Sequence, residues 1–183
     1  MSAAKKLLED LCGDRVDTYK APNWSITPRA PWAYDELIAA GYRVDNSAKP
    51  SLLRSLGRPS TDMRPFRYKD APTVIPVTTL IVFNRPVLVL NGGLVCGHVP
   101  LSIQILCFRR LNRRDIPFNY YCHPYEFRPI GSSVRLWRHR SLHLALYGLH
   151  FGRYRKSIAR LAATFRLGPL KRAYTSFLRE AAE

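Results

Sequence analysis

Leu7, Leu8 and Leu11 recur at helical spacing near the start of the chain, and Gly13 stands where a left-handed cap would close the helix. Arg15 to Tyr19 alternates in the manner of a short strand. Thr27 can cap a helix whose first position is Pro28; Ala33, Leu37 and Ala40 give it an apolar face, and Gly41 stops it. Tyr42 to Asp45 reads as the next strand. Strand, helix and strand in this order form a βαβ unit, which implies parallel pairing through a right-handed crossover.

Pro50 to Pro72 is rich in Pro, Ser, Arg and Gly without a sustained period, and predicts a long surface loop. Val74 to Phe83 and Val87 to Leu90 are β-branched and aliphatic, and Asn84-Arg85-Pro86 between them predicts a hairpin. Asn91-Gly92-Gly93 ends it in a turn that needs permissive dihedrals. Leu101 to Leu111 predicts a helix with Ile105 and Phe108 inward, followed by a buried strand from Pro117 to Tyr121. Beyond Ile130 the chain turns helical and basic. Ile158, Leu161, Ala162 and Phe165 fall on one stripe, with Arg153, Lys156 and Arg160 on the solvent side. Gly168-Pro169 breaks the pattern before a last amphipathic helix that uses Leu170, Tyr174, Phe177 and Leu178.

Charge sharpens this division. The chain of 183 residues carries 29 Lys and Arg against 13 Asp and Glu, and the excess is local: residues 1–100 hold 13 basic and 9 acidic side chains, residues 101–183 hold 16 and 4. Such a field favours an anionic partner and says nothing of fold. Cys12, Cys96, Cys107 and Cys122 have no C-x-x-C spacing and sit in apolar surroundings, which predicts buried free thiols instead of a zinc site or a disulfide framework. Val74 to Leu90 is the longest apolar stretch; Asn84-Arg85-Pro86 interrupts it, so neither side is long enough to span a bilayer. The first thirteen residues do not read as a secretory signal, and a cytoplasmic location is expected.

Three predicted strands end on polar residues followed by a turn: Tyr19-Lys20-Ala21-Pro22, Val44-Asp45-Asn46-Ser47 and Tyr121-Cys122-His123-Pro124. In a barrel of parallel strands such ends share one face, where catalytic side chains converge. His123 is of the residue type most often used for proton transfer. Taken singly, Lys20 reads as a solvated or ion-paired lysine, and Asp45-Asn46-Ser47 as turn chemistry. His139, His143 and His150 can share a helix side, but Arg135, Arg138 and Arg140 would repel a dication. Trp137, Tyr147, Phe151 and Tyr154 interleave with basic residues, yet no nucleic-acid-binding motif accompanies them, and no specific nucleic-acid partner is expected.

The run from Tyr19 to Pro28, with Ala39-Ala40-Gly41-Tyr42-Arg43-Val44-Asp45-Asn46-Ser47, resembles the second half of the polysaccharide deacetylase domain. The run around His123 and the tail Phe165-Arg166-Leu167-Gly168-Pro169-Leu170 resemble the C-terminal extension of an exopolysaccharide-linked bacterial branch of that family. The resemblance covers nearly the whole chain. It implies an α/β fold: a partial (β/α) barrel lacking its first strands over residues 1–130, and a basic helical extension over 131–183. Members hydrolyse N-acetyl groups on a polysaccharide with a divalent metal such as zinc, held by one Asp and two His, while a second Asp acts as base. By this resemblance His123 matches the histidine that protonates the leaving amine, Lys20 matches the arginine that orients the catalytic Asp, and Asp45 matches the turn after the following strand. Pro22, Trp24 and Tyr125 would line the substrate groove.

The chain departs from that pattern in three places. Lys20 keeps the charge of an arginine without its two-pronged geometry. The early Asp-Asp and His-x-x-x-His motifs have no counterpart, so no metal site and no cofactor are expected in this chain. Asn91-Gly92-Gly93-Leu94-Val95-Cys96 lacks the aromatic and arginine that follow the glycines. The expectation is therefore a truncated relative, inactive alone, whose partner is a polysaccharide. The alternatives are a non-catalytic basic module for glycan binding or assembly, and a separately encoded N-terminal half that completes the barrel.

Overall fold

The computed structural model describes residues 1–68, 72–92, 98–123 and 155–180. Contacts divide the chain into two units, one of Met1–Leu88 with Tyr174–Glu183, the other of Val89–Ala173. The domain boundary expected at residue 130 lies outside the described residues.

The first unit opens with helix α1, Ser2–Cys12, which Gly13 closes in the left-handed region at φ 66° while its N–H donates to the Glu9 carbonyl. Strand β1, Thr18–Tyr19, pairs in parallel with β2, Val44–Asp45, and helix α2, Ala33–Ala39, connects them as expected. Ala33, Tyr34 and Leu37 are its buried face. The helix starts later than Pro28. Pro31 disfavours the helical region at Ala30, and the chain makes tight turns, Ala33 N–H to Ala30 and Tyr34 N–H to Pro31, before the helix settles. Strand β2 also pairs in parallel with β4, Thr73–Val74, and β4 pairs antiparallel with β3, Phe66–Arg67. The result is an open sheet of order β1-β2-β4-β3. Both residues of the central β2 are buried.

Two expectations fail in this unit. Pro50 to Pro72 is not a surface loop: Pro50–Ser55 forms helix α3, and Leu52, Leu53, Ser60 and Met63 are buried. The Leu52-Leu53 pair is too brief to show a helical period, and its burial is set by tertiary packing. The hairpin is shorter than expected, with β5 at Thr79–Val82 and β6 at Arg85–Val89, because Val74 and its neighbours belong to the parallel sheet. The turn is Phe83-Asn84, both left-handed at φ 46° and 57°, the combination that matches strand twist in two-residue hairpins. Tyr34, Leu37, Leu52, Leu53, Val74 and Ile75 form the core.

In the second unit helix α4, Leu101–Asn112, buries Gln104, Phe108 and Leu111. Phe108 faces inward as expected, whereas Ile105 is only half-buried and Gln104 beside it is buried. Phe108 stacks on Phe118 at 4.1 Å, and Phe165 meets Phe118 edge-on at 4.9 Å. Pro117 to Tyr121 is not a strand. It makes a single parallel bridge, Tyr121 to Gly92, where a Cβ on Gly92 would lie 1.9 Å from the Tyr121 carbonyl oxygen. Helix α5 spans 155–164 and buries Leu161, with Ile158 half-buried, Ala162 exposed, and Lys156 and Arg160 facing solvent. The last helix expected from the sequence is two pieces, α6 Leu170–Ala173 in this unit and α7 Thr175–Glu180 in the first.

The architecture is thus mixed α/β, with small sheets and several helices. Cys12 and Cys122 are exposed and Cys107 half-buried, all free thiols, which corrects the expectation of burial for the first two. No described helix is long and apolar enough to cross a membrane.

Candidate functional site

The parallel strands β1, β2 and β4 run in one direction, so their carboxyl ends lie on one edge. That edge is where open α/β sheets place ligands. Lys20 follows β1, Asn46 and Ser47 follow β2, and Ile75 follows β4. The ladder continues into these residues through Asn46 N–H to the Tyr19 carbonyl and Ile75 N–H to the Asp45 carbonyl.

Asp45 is the hub. It has no exposed surface, and both carboxylate oxygens are engaged: Ser47 Oγ donates to Oδ1 at 2.6 Å, and Tyr34 Oη donates to Oδ2 at 3.1 Å. Ser47 Oγ in turn accepts the Ala21 N–H at 2.7 Å. One carboxylate therefore ties the turn after β1, the turn after β2 and helix α2. Burial pushes the Asp45 carboxyl above the usual carboxylate range, opposed by donors from Ser47, by Tyr34 and by the charge of Lys20. Burial and the negative charge of Asp45 raise the Tyr34 phenol.

Lys20 sits above this hub. Its Nζ donates to Asn46 Oδ1 at 3.2 Å and to the Asn46 carbonyl at 3.3 Å, and it lies 4.2 Å from the centroid of the Trp24 ring. Asn46 Nδ2 donates across the sheet to the Ile75 carbonyl at 2.9 Å, which fixes the amide that receives the lysine. Burial pushes the Lys20 ammonium down to about 8, and the nearby Asp45 charge, which acts in the other direction, does not offset it. An amine that changes charge near neutral pH at a strand-end edge can hold or release a proton there.

Pro22 is the exposed first residue of a single 3₁₀ turn, Pro22–Trp24. Asn23 and Trp24 are both left-handed, at φ 51° and 57°. For a tryptophan this is a strained backbone, and strain of this kind gathers at functional segments. The turn carries the half-exposed Trp24 ring onto Lys20, and Lys49 Nζ lies 5.9 Å from the same ring.

Of the residues singled out from the sequence, Lys20, Asp45, Pro22 and Trp24 come together in the first unit. His123 belongs to the second unit, half-buried, with its ring edge-on to Tyr121 at 5.1 Å. Tyr125, His139, His143 and His150 lie outside the described residues. Sequence reasoning missed Tyr34, Asn46 as the acceptor for Lys20, and Lys49. Tyr34 carried a signal, since it lies three positions before Leu37 on the helix face. Lys49 carried none.

The metal of the resembled family does not fit these residues. Asp45 is the carboxylate at the strand ends, its oxygens are taken by Ser47 and Tyr34, and no group of three His, Cys, Asp or Glu side chains occurs among the described residues. Comparison with curated proteins and with solved structures found no match. A family model described as a domain of unknown function, DUF3473, matches residues 46–175, from the strand-end Asn46 through the whole of the second unit, and the chain belongs to that family.

Proposed function

We propose that the protein is a relative of the polysaccharide deacetylases that carries part of the rim of an amide-hydrolysing site without its metal. On this reading the mixed α/β sheet of the first unit is the remnant of a partial (β/α) barrel, and the partner is a polysaccharide. The observation that carries the reading is the gathering of Lys20, Asn46, Asp45 and Trp24 at the carboxyl ends of three parallel strands, the same residues on which the resemblance rests. The matched domain is one associated with that family, which adds support.

Within this rim Lys20 acts as a positioning residue. It braces Asn46, neighbours Asp45 electrostatically and underlies the Trp24 wall of the groove. Metal and base would come from outside the described residues, which hold no group of three metal-ligating side chains. The purified full chain, given N-acetylated oligosaccharides and a divalent metal, is expected to release no acetate. Chelator-sensitive acetate release by the chain alone contradicts the proposal, and co-purification with an N-terminal half that restores release sharpens it.

A second reading, a non-catalytic basic glycan-binding or assembly module, is favoured by the 16 basic against 4 acidic residues in 101–183. It predicts glycan affinity that falls with salt and survives His123→Ala.

A further inference from the structure

Helix α1 sits on the first unit the wrong way round. A surface helix ordinarily buries its apolar stripe and turns its charges to water. Here the polar side faces the body. Lys5 donates to Glu9 and lies over the Tyr42 ring at 5.9 Å, with its side chain only 12% exposed, and Glu9 accepts the Val16 N–H at 2.9 Å. No residue of the helix is buried. Ala4, Leu7, Leu8 and Leu11, at i, i+3, i+4 and i+7, form one stripe, and it stands in water: Leu7 is 59%, Leu8 50% and Leu11 76% exposed. Three leucines that pack on nothing in their own unit form a face for an apolar partner.

The charges say which partner. Lys5 and Lys6 lie in the N-terminal half of α1 and Glu9 and Asp10 in the C-terminal half, with no acid in the first turn and no base in the last. That order opposes the helix dipole, which favours anions at the N-terminus and cations at the C-terminus. A second α1 packed antiparallel corrects both ends at once. With a two-fold axis between Leu7 and Leu8, the small Ala4 is level with Leu11 of the copy, and the exposed Lys6 comes within one residue's rise, about 1.5 Å, of the level of the copy's exposed Asp10. A lipid surface also takes apolar stripes, but helices that lie in it carry a cationic polar face, whereas the two lysines of α1 are balanced by Glu9 and Asp10. We propose that α1 is a self-association surface on which two copies of the chain pair antiparallel, leucines inward and Lys6 beside Asp10 on the flank. One 11-residue helix from each copy covers less than a standard protein interface, so the dimer is weak and concentration-dependent.

The test is sedimentation equilibrium of the full chain from low to high micromolar concentration at low ionic strength. The expected result is a reversible monomer–dimer equilibrium, with the dissociation constant raised at least about tenfold by Leu8→Gln or Leu11→Gln. Both leucines are exposed, so neither change removes packing from the monomer, and far-UV circular dichroism shows whether the helix persists. Lys6→Asp alone and Asp10→Lys alone should each weaken the dimer severalfold, by setting like charges level with one another. An equimolar mixture of those two variants should recover it, since each then offers the charge the other lacks. Both changes improve the match to the helix dipole, so the loss cannot come from a melted helix. A chain that is monomeric throughout the range overturns the proposal. So does a dimer indifferent to Leu8→Gln and Leu11→Gln, which places the contact on another surface, or a mixture that fails to recover, which removes the antiparallel pairing. A monomer that co-sediments with anionic phospholipid vesicles, and loses this on Leu11→Gln, overturns it in favour of a lipid surface.

Discussion

The two units solve the problem of order differently. In the first, short strands of two residues carry little ladder of their own, and the arrangement is held by a buried polar network in which Asp45 joins Ser47, Tyr34 and, through Ser47, the Ala21 backbone. In the second, an aromatic stack of Phe108, Phe118 and Phe165 does the equivalent work by packing. A polar network is directional and breaks when one partner is removed, because the others stay buried without it. An aromatic cluster loses area and leaves a cavity. The candidate chemistry belongs to the first arrangement, where burial shifts Lys20, Asp45 and Tyr34 at one sheet edge; in the second, burial raises the Cys107 thiol on the packed helix α4, away from any such cluster among the described residues.

The largest effect should come from the packed unit. Phe108 is fully buried, and Phe108→Ala is expected to cost about 4 kcal/mol. Chemical denaturation should show that loss unchanged between pH 5 and pH 9, because the rings of Phe108, Phe118 and Phe165 carry no charge to gain or lose. Asp45→Ala should cost somewhat less, about 3 kcal/mol, since the hydroxyls of Ser47 and Tyr34 lose their acceptor. Asp45→Asn keeps the shape and should cost about 1 kcal/mol, with Tyr34 able to reorient. The Asp45 deficit should also depend on pH. The folded carboxyl titrates above its ordinary value, so the wild-type advantage is fullest at pH below that value and falls as pH rises through the folded pKa. A deficit for Asp45→Ala that grows with pH would break the comparison.

The smallest effect lies at the hairpin tip, and it runs the other way. Phe83 is 95% exposed with φ 46°, so it gives up little packing and sits in a region costly for a side chain. Phe83→Gly should raise stability by about 1 kcal/mol, measured as a shift in denaturation midpoint.

Much of this was legible in the chain. The periodicity of Ala33 and Leu37, the stop at Gly41 and the cap at Gly13 follow from local rules and agree with the structure. The strand-end placement of Lys20 and Asp45 was also legible, because turn residues punctuate the strands. What was not legible depends on partners far along the chain. Two-residue strands show no alternation, so the link from Asn46 to Ile75, 29 residues away, leaves no local trace. Leu52-Leu53 looked like loop because burial, and not period, makes α3 a helix. Asp45 read as turn chemistry for a related reason: a buried hub and a solvated turn use the same residue types, and only tertiary context separates them.

The account turns on burial at the strand ends holding Lys20 below its ordinary pKa. Nitrogen-detected NMR of lysine side chains, with Lys20→Met used to assign the signal, measures this directly. The account predicts a Lys20 midpoint near 8, and a stability advantage of wild type over Lys20→Met that grows as pH rises from 8 towards 10.5, where the unfolded chain still holds the proton that the folded chain has released. A midpoint near 10.5, shared with the exposed lysines, would contradict it.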